Sequence, residues 1–320
     1  MSKRTPGTGL ALAVLSALTF STSGSFARSL TEAGWSPGAA VAARISAAAL
    51  MMAIPTLLSL RGRWSALRRG ARTVTFYGLF AVAGAQLCFF NALGHLSVGV
   101  ALLLEYLGTV LVVVWMWLRH GHRPRRLTLA GSAIAVLGLV FVLDLIGDTR
   151  VDAVGVVWAL GAAVGLAAFF IVSANVELEL PPIAMAGAGM TVGAVALLGL
   201  GALGALPMHA TFGDVDFAGH RASWLVPVLG LSFVAAVIAY VAGIAAARIL
   251  GPKLASFVGL LEVVFAVLVA WLLLGELPTG LQLFGGVLIL AGVALVRLDE
   301  LRPESPVGGF LGEAVLIDAS

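Results

Sequence analysis

Three charged side chains, Arg44, Glu105 and Glu262, lie inside long apolar stretches of this sequence. A charge at the centre of a bilayer costs about 2.5–3.5 kcal/mol on insertion scales, so such residues mark functional positions by default. A carboxylate can bind an ammonium group, and a carboxyl group can carry a proton. The chemistry that the two glutamates predict is therefore binding of a cationic group or of a coupling proton.

Arg44 has two interpretations. It could be a fixed counter-ion, because its predicted depth in the membrane is similar to that of Glu105, or it could bind the carboxylate of a substrate. Gln86, Asn91 and Tyr240 are polar residues in other apolar stretches and are also candidate substrate ligands. Their alternative role is hydrogen bonding to a neighbouring helix.

The sequence lacks H-E-x-x-H, G-x-S-x-G and G-x-x-x-x-G-K-[ST], which are motifs of zinc proteases, serine hydrolases and ATP-binding loops. Its five His residues fall in loops, and its single cysteine, Cys88, cannot form an internal disulfide. Residues 199–204 match the dinucleotide pattern G-x-G-x-x-G but lie in an apolar stretch with no preceding strand. We therefore expect no metal, no cofactor and no ATP-driven pump. An intramembrane enzyme is a remote alternative, because no Asp or His lies at membrane depth.

The elements that position these residues follow from composition. The chain has 320 residues, of which 60% are hydrophobic and 11% charged, and its mean hydropathy is +1.06. These values exclude a soluble globular protein, a disordered chain and a nucleic-acid binder. About 20 apolar residues cross a bilayer as a helix. We predict ten such helices, at 9–27, 39–60, 74–93, 98–118, 127–143, 154–174, 183–206, 224–246, 254–274 and 281–296.

The positive charges predict the orientation of these helices. Most of the 19 Lys and Arg residues fall in segments that share one side of the membrane, above all in 61–72 and 119–126. The loops of the other side hold only Arg28, Arg150 and Arg221. Because cytoplasmic loops carry the excess of Lys and Arg, both termini are predicted to be cytoplasmic.

The two halves of the chain resemble each other. Residues 93–105 align with 250–262 without gaps and place Glu105 on Glu262, and Gly131 and Gly138 align with Gly285 and Gly292. Each half holds five helices, so the second half enters the membrane from the opposite side. Inverted repeats are typical of secondary transporters, whose substrate site lies near the midplane between the repeats. The alternative is chance similarity between Leu- and Gly-rich helices.

Several motifs resemble those of the EamA family of the drug/metabolite transporter superfamily. They are Arg44, the segment 260–292 (LLEVVFAVLVAWLLLGELPTGLQLFGGVLILAG) and the segment 101–115 (ALLLEYLGTVLVVVW). The last is similar to the threonine/homoserine exporter branch, with Glu105, Tyr106 and Gly108 in place. The chain departs from the family at Val263, where many members have Pro, and its first repeat lacks a Gly-Glu pair.

This resemblance implies an all-α membrane protein with ten transmembrane helices in two inverted five-helix repeats. The repeats are residues 1–147 and 148–297, and residues 298–320 are expected to be a disordered cytoplasmic tail. It also implies that helices 3, 4, 8 and 9 line a central cavity. The pairs Gly161/Gly165 and Gly189/Gly193 are expected to pack within the chain, with a homodimer face as the alternative.

The implied function is export of a small amino acid or related metabolite, similar to threonine or homoserine, by alternating access with proton exchange. The expected partners are a small-molecule substrate and the lipid bilayer, with no nucleic acid. The expected location is a bacterial cytoplasmic membrane. A drug or nucleotide-sugar carrier of the same superfamily is the alternative.

Overall fold

The structure is a computed structural model that describes residues 6–96, 98–120, 125–142, 152–176, 179–217, 219–274 and 280–301. Its helices 1–7 comprise Pro6–Ser21 with Ser23–Glu32, Pro37–Ser59, Ala71–Ala92, Val98–His120, Arg126–Val142, Ala153–Ser173 and Pro182–Ala202. Helix 8 begins at Leu225 and continues into the segment Ala239–Gly259. Beyond a kink at Gly251, the rest of that segment and Leu261–Leu274 form helix 9, and Gly280–Leu301 is helix 10.

A helix thus lies over each of the ten predicted stretches. Within the described residues, six helical stretches are long and apolar enough to cross a membrane by length and composition, and two shorter apolar helices occur at Arg126–Gly138 and Leu283–Val296. Helix 10 ends at Leu301, inside the segment predicted to be a tail, and the rest of that tail lies outside the described residues.

Helix 1 is broken at Thr22, which the apolar pattern does not predict. The hydroxyl groups of Thr19, Ser21 and Thr22 donate to backbone carbonyl groups three or four residues earlier. Such bonds compete with the helical ladder and bend helices. Beyond the break, helix 1 continues to Glu32, five residues farther than the sequence predicts.

Helices 8 and 9 are joined without a loop. Gly251 has φ +79°, in the left-handed region that suits glycine, and Pro252 has no N–H to continue the first helix. Helix 9 is interrupted once more at Leu260, two residues before Glu262. The second glutamate therefore follows directly on a break in its helix.

The two repeats share distortions and contacts. Helix 3 contains a π-helical segment at Tyr77–Gly84, and helix 8 contains one at Gly230–Ile238. Helix 1 packs against helices 8 and 9, and helix 6 packs in the equivalent way against helices 3 and 4. Helices 2 and 7 pack together, as do helices 5 and 10. This pattern is that of two five-helix repeats related by a pseudo-two-fold axis.

The glycines that align between the repeats pair crosswise in helices 5 and 10. A Cβ atom added to Gly131 would lie 2.8 Å from the carbonyl oxygen of Gly292, and one added to Gly138 would lie 2.6 Å from that of Gly285. Since Gly131 aligns with Gly285 and Gly138 with Gly292, each contact is the symmetry mate of the other. The crossing confirms the sequence alignment of the halves.

Among the described residues, β-strands occur only in the loop between helices 7 and 8. Strands β1 (Asp214–Phe217) and β2 (His220–Ser223) form an antiparallel hairpin. Phe217 stacks on Phe26 of helix 1 with ring centroids 5.1 Å apart, and the indole of Trp35 donates to the carbonyl of Thr211. The hairpin therefore covers the end of the bundle where helices 1 and 2 meet.

Candidate functional site

A cavity of about 80 Å³ lies at the interface of the two repeats. One ordered water needs about 10–15 Å³, so this space holds several waters or a small organic group. Of the residues predicted from sequence, Gln86, Glu105, Tyr240 and Glu262 line the cavity. The structure therefore brings four of the six candidate site residues together.

Helices 3, 4, 8 and 9 supply most of the wall, and helices 1 and 6 also contribute to it, so the lining extends beyond the four expected helices. Helix 1 supplies Ser16, Phe20 and Ser23, and helix 6 supplies Phe169 and Phe170. The break at Thr22 could have been suspected from the cluster of Ser and Thr residues around it. No comparable signal marks the phenylalanines of helix 6, since they belong to a uniformly apolar run.

Aromatic rings form much of the wall. The ring of Tyr240 lies 5.2 Å from that of Phe20 and 5.3 Å from that of Phe169, measured between centroids, and Phe169 also contacts Phe170 at 5.1 Å. Edge-to-face and tilted contacts at these distances are favourable for aromatic pairs. They also present ring faces and edges to whatever occupies the cavity.

The two carboxylates come from equivalent helices of the two repeats, Glu105 from helix 4 and Glu262 from helix 9. The hydroxyl of Tyr106 donates to the carbonyl oxygen of Gly259 at 3.0 Å and also contacts the side chain of Glu262. Tyr106 thus links helix 4 to the break in helix 9. In the sequence, Tyr106 stands out only as part of a family motif.

Arg44 lies behind the wall and does not line the cavity. Its side chain is fully buried and donates to Ser23 Oγ at 2.9 Å, to Gln86 Oε1 at 2.5 Å and to the carbonyl oxygen of Ala235 at 2.5 Å. Among the described ion pairs there is none between Arg44 and Glu105. The negative charges of both glutamates nevertheless attract the guanidinium of Arg44.

Both π-helical segments supply backbone acceptors to this network. The carbonyl of Ala81, in the first segment, accepts a hydrogen bond from the Tyr240 hydroxyl at 3.2 Å. The carbonyl of Ala235, in the second, accepts from Arg44. A π-helical turn changes which carbonyls are bonded along the helix, and such turns are frequent at functional sites. Each repeat therefore uses its distorted third helix to hold a polar side chain at the site.

Asn91 does not reach the cavity. Its amide donates to the carbonyl of Leu87 on the same helix at 2.7 Å, and not to a neighbouring helix. The pairs Gly161/Gly165 and Gly189/Gly193 both pack against helix 3 within the chain.

Trp158 packs against the core, and Trp115 and Trp117 are exposed near the end of helix 4. Glu276 lies outside the described residues.

The electrostatic character of the cavity is one-sided. Within the described part of the chain, the lining contains two carboxylates and no Lys, Arg or His. The nearest guanidinium, that of Arg44, donates three hydrogen bonds behind the wall, while its Nε has no hydrogen-bond partner. A bound group that neutralises this site would have to be a cation or a proton.

Outside the membrane-spanning part, Asp152 caps the start of helix 6. Its carboxylate accepts from the backbone N–H of Val154 at 2.9 Å and contacts His95 Nδ1 at 2.8 Å. The hydrogen bond from Val154 and then that from His95 lower the pKa of Asp152 below its ordinary value. This contact ties the connection between helices 3 and 4 to the beginning of the second repeat.

The sequence profile of the EamA-like transporter family matches residues 7–144 and 153–298. No curated protein sequence gives a significant match. Twenty-eight chains of solved structures match the fold. One of them, a protein crystal structure, aligns with a TM-score of 0.74 over 91% of this chain and 97% of its own, at 21% sequence identity. At that identity the likeness concerns the fold alone.

Proposed function

This chain belongs to the EamA-like transporter family and is a secondary transporter, and we propose that it exports a small amino acid or related metabolite by alternating access. The observation that carries this proposal is the cavity at the repeat interface with Glu105 and Glu262 in its wall. The ammonium group of an amino acid is a suitable partner for either carboxylate. The similarity of residues 101–115 to the threonine/homoserine exporter branch supports a small, hydroxylated amino acid as cargo.

Proton exchange is part of the proposal. Two carboxyl groups share one cavity with no cationic side chain among the described lining residues. Such a pair can bind a proton in place of the ammonium group of the cargo. A proton then returns into the cell as the cargo leaves it. Export would then draw on the proton gradient without any nucleotide-binding motif.

A second candidate cargo is an organic cation without a carboxylate. The aromatic wall, including Phe20, Phe169 and Tyr240, can contact a cationic group through ring faces, and a carboxylate on the cargo finds no positive partner in the described lining. The same charge argument disfavours a nucleotide sugar, because its phosphates would face two carboxylates.

Counterflow in proteoliposomes distinguishes these cargos. The purified protein would be loaded with each unlabelled compound and offered the same compound in labelled form, with and without a pH gradient. The panel holds L-threonine, L-homoserine, L-phenylalanine and tetraphenylphosphonium. A double variant, Glu105→Gln with Glu262→Gln, serves as the matched control because it keeps the side-chain volumes and removes both charges.

Uptake of L-threonine or L-homoserine that grows with the pH gradient would support the amino acid proposal and proton exchange. Uptake of tetraphenylphosphonium alone would contradict the amino acid cargo and favour the organic cation. Uptake that does not respond to the gradient would remove proton exchange from the proposal and keep the cargo.

The proposed location is a bacterial cytoplasmic membrane with both termini in the cytoplasm. The distribution of Arg residues supports this orientation, because the connection between helices 2 and 3 and the first turn of helix 3 hold Arg61, Arg63, Arg68, Arg69 and Arg72. A cysteine placed at Arg63 in a Cys88→Ser background should react with an impermeant maleimide in inside-out vesicles only. Labelling in intact cells would contradict this orientation.

A further inference from the structure

Two buried hydroxyl side chains and one half-buried arginine lie beneath the cavity, towards the arginine-rich end of the molecule. We define that end as the one that holds the connection between helices 2 and 3. Tyr77 lies near the start of helix 3, Ser173 ends helix 6, and Arg248 lies near the end of helix 8. Each lies beyond a lining residue of its own helix: Ala81 for Tyr77, Phe169 for Ser173 and Ala246 for Arg248.

These side chains are close to the cavity and to each other. At about 1.5 Å per residue, the offsets of two to four residues place them about 3–6 Å beyond the lining. The hydroxyl of Tyr77 faces Ser173 and the guanidinium of Arg248, and Arg248 Nε donates to the carbonyl of Ser173 at 3.3 Å. The ring of Phe169, 6.2 Å from that of Tyr77, separates them from the cavity.

Tyr77 Oη, Ser173 Oγ and Arg248 Nη2 make no hydrogen bond of regular geometry, although the Tyr77 and Ser173 hydroxyls lie close enough to interact with each other. Tyr77 and Ser173 are fully buried. A buried polar group without a partner costs about 1–3 kcal/mol, so three at one place require an explanation. All three can donate hydrogen bonds, and one carries a fixed positive charge. The ligand that fits them is an oxygen acceptor with negative charge.

We propose that Tyr77, Ser173 and Arg248 form a second binding site, which takes the carboxylate of an amino acid cargo next to the central cavity. The inference rests on the proposed amino acid cargo, and it supplies the positive partner that the cavity lining lacks. The carboxylate of an entering cargo meets Arg248 first, before its ammonium group reaches Glu105 or Glu262 in the cavity. A guanidinium suits this task because it binds a carboxylate in a bidentate manner.

The site is closed in this conformation. Arg248 also donates through Nη1 to the carbonyl of Leu180, in the connection between helices 6 and 7, and Leu180 is buried. Alternating access requires this end of the molecule to open in turn. When it opens, the carboxylate of an entering cargo replaces the carbonyl groups of Ser173 and Leu180 as the acceptor for Arg248. The site therefore selects cargo at the entrance and gives it up when the end closes.

The test compares each amino acid with its decarboxylated amine in proteoliposomes. The pairs are L-threonine with 1-aminopropan-2-ol and L-homoserine with 3-aminopropan-1-ol. We expect Arg248→Gln to lower kcat/KM for the transported amino acid at least tenfold and to change that of its amine less than twofold. Tyr77→Phe, which removes one hydroxyl and keeps the ring, should give a several-fold loss with the same selectivity. Arg248→Lys should recover part of the loss.

Arg69→Gln is the matched control, because Arg69 lies at the same end and forms an exposed ion pair with Glu179. It should affect amino acid and amine alike. Equal losses for both compounds in Arg248→Gln and Tyr77→Phe would overturn the proposal, since a structural role or a bound water predicts that result. If wild-type protein transports tetraphenylphosphonium but no amino acid, the proposed function fails and this site fails with it. If the wild-type protein transports the amino acid but Arg248→Gln and Tyr77→Phe affect amino acid and amine equally, the proposed site alone is overturned.

Discussion

Tyr106 of helix 4 donates a hydrogen bond of 3.0 Å to the carbonyl oxygen of Gly259, at the point where helix 9 is interrupted. One helix belongs to the first repeat and the other to the second. Glu262 follows three residues after Gly259 and also contacts the Tyr106 hydroxyl. The hydroxyl has one hydrogen, so donation to Glu262 and donation to Gly259 exclude each other. Tyr106 therefore couples the hydrogen bonding of the Glu262 side chain to the backbone of helix 9, which carries that glutamate.

Tyr106→Phe is expected to reduce the transport rate about tenfold with normal membrane insertion. The variant keeps the ring in the buried position but removes the hydrogen bond across the repeats, and a lost bond to a charged or backbone partner is worth about 1–1.5 kcal/mol. Counterflow at saturating cargo measures the change. Thr109→Val is the control, because the Thr109 hydroxyl bonds only within helix 4. Equal rates in wild type and Tyr106→Phe would show that the link is not used.

Glu262→Gln is expected to impair transport at least tenfold and to leave membrane insertion unchanged. The amide keeps the shape of the side chain but can neither pair with an ammonium group nor release a proton. Residual transport should no longer respond to a pH gradient, whereas wild-type transport should. Glu32→Gln is the matched control, since Glu32 is exposed and paired with Arg28 on the surface. Unchanged transport at normal surface expression would contradict a role for Glu262.

Arg44→Met is expected to destabilise the protein rather than to change its cargo selectivity. Removing the guanidinium leaves Gln86, Ser23 and the carbonyl of Ala235 without their donor. Each buried acceptor that is left without a donor costs about 1–3 kcal/mol. The fall in Tm can be followed by intrinsic fluorescence in detergent, with Arg248→Met as a less buried comparison. If Tm stays unchanged while the preferred cargo changes, Arg44 is a ligand and not a positioning residue.

The sequence allows much of this architecture to be predicted, because the decisive signals are long apolar runs and a repeated glutamate. Glu105 and Glu262 stand out since a charge in lipid is costly, and both line the cavity. The crossing of Gly131 with Gly292 and of Gly138 with Gly285 follows from an alignment that needs only the sequence. Helices and their order are therefore predictable from composition and symmetry.

The direction of individual side chains is not predictable in the same way. In helices that are apolar on all sides, no polar face shows which residues point inward. Asn91 and Gln86 lie five residues apart on helix 3, yet only Gln86 lines the cavity. A π-helical segment precedes both and changes the rotation of the helix. The partners of Arg44 escaped prediction for the same reason, since one of them is a carbonyl that such a segment presents.

Asp152 gives a prediction about pH. Its pKa is lowered in the folded protein, chiefly by the N–H of Val154 and then by His95. A lowered pKa means that the carboxylate stabilises the fold above the ordinary Asp value of about 3.9 and loses this effect as the pH falls below it. The Tm difference between wild type and Asp152→Asn should therefore be present at neutral pH and shrink below about pH 4. Asp214→Asn, on the exposed hairpin, is the control. A Tm difference that is the same at both pH values would contradict this role.

Helices 5 and 10 give the last prediction, which concerns stability without transport. A Cβ atom at Gly138 would lie 2.6 Å from the carbonyl oxygen of Gly285 and 2.7 Å from the backbone nitrogen of Ile289. Backbone atoms cannot move aside as side chains do, so Gly138→Ala must separate the two helices at a cost of about 1–3 kcal/mol. Gly286→Ala is the matched control, because its added Cβ would meet its nearest neighbour at 4.0 Å. We expect a fall in Tm for Gly138→Ala and almost none for Gly286→Ala.

Transport by the folded fraction should persist in both variants, since the cavity is lined by helices 1, 3, 4, 6, 8 and 9. Loss of transport at an unchanged Tm would instead place helices 5 and 10 in the transport cycle.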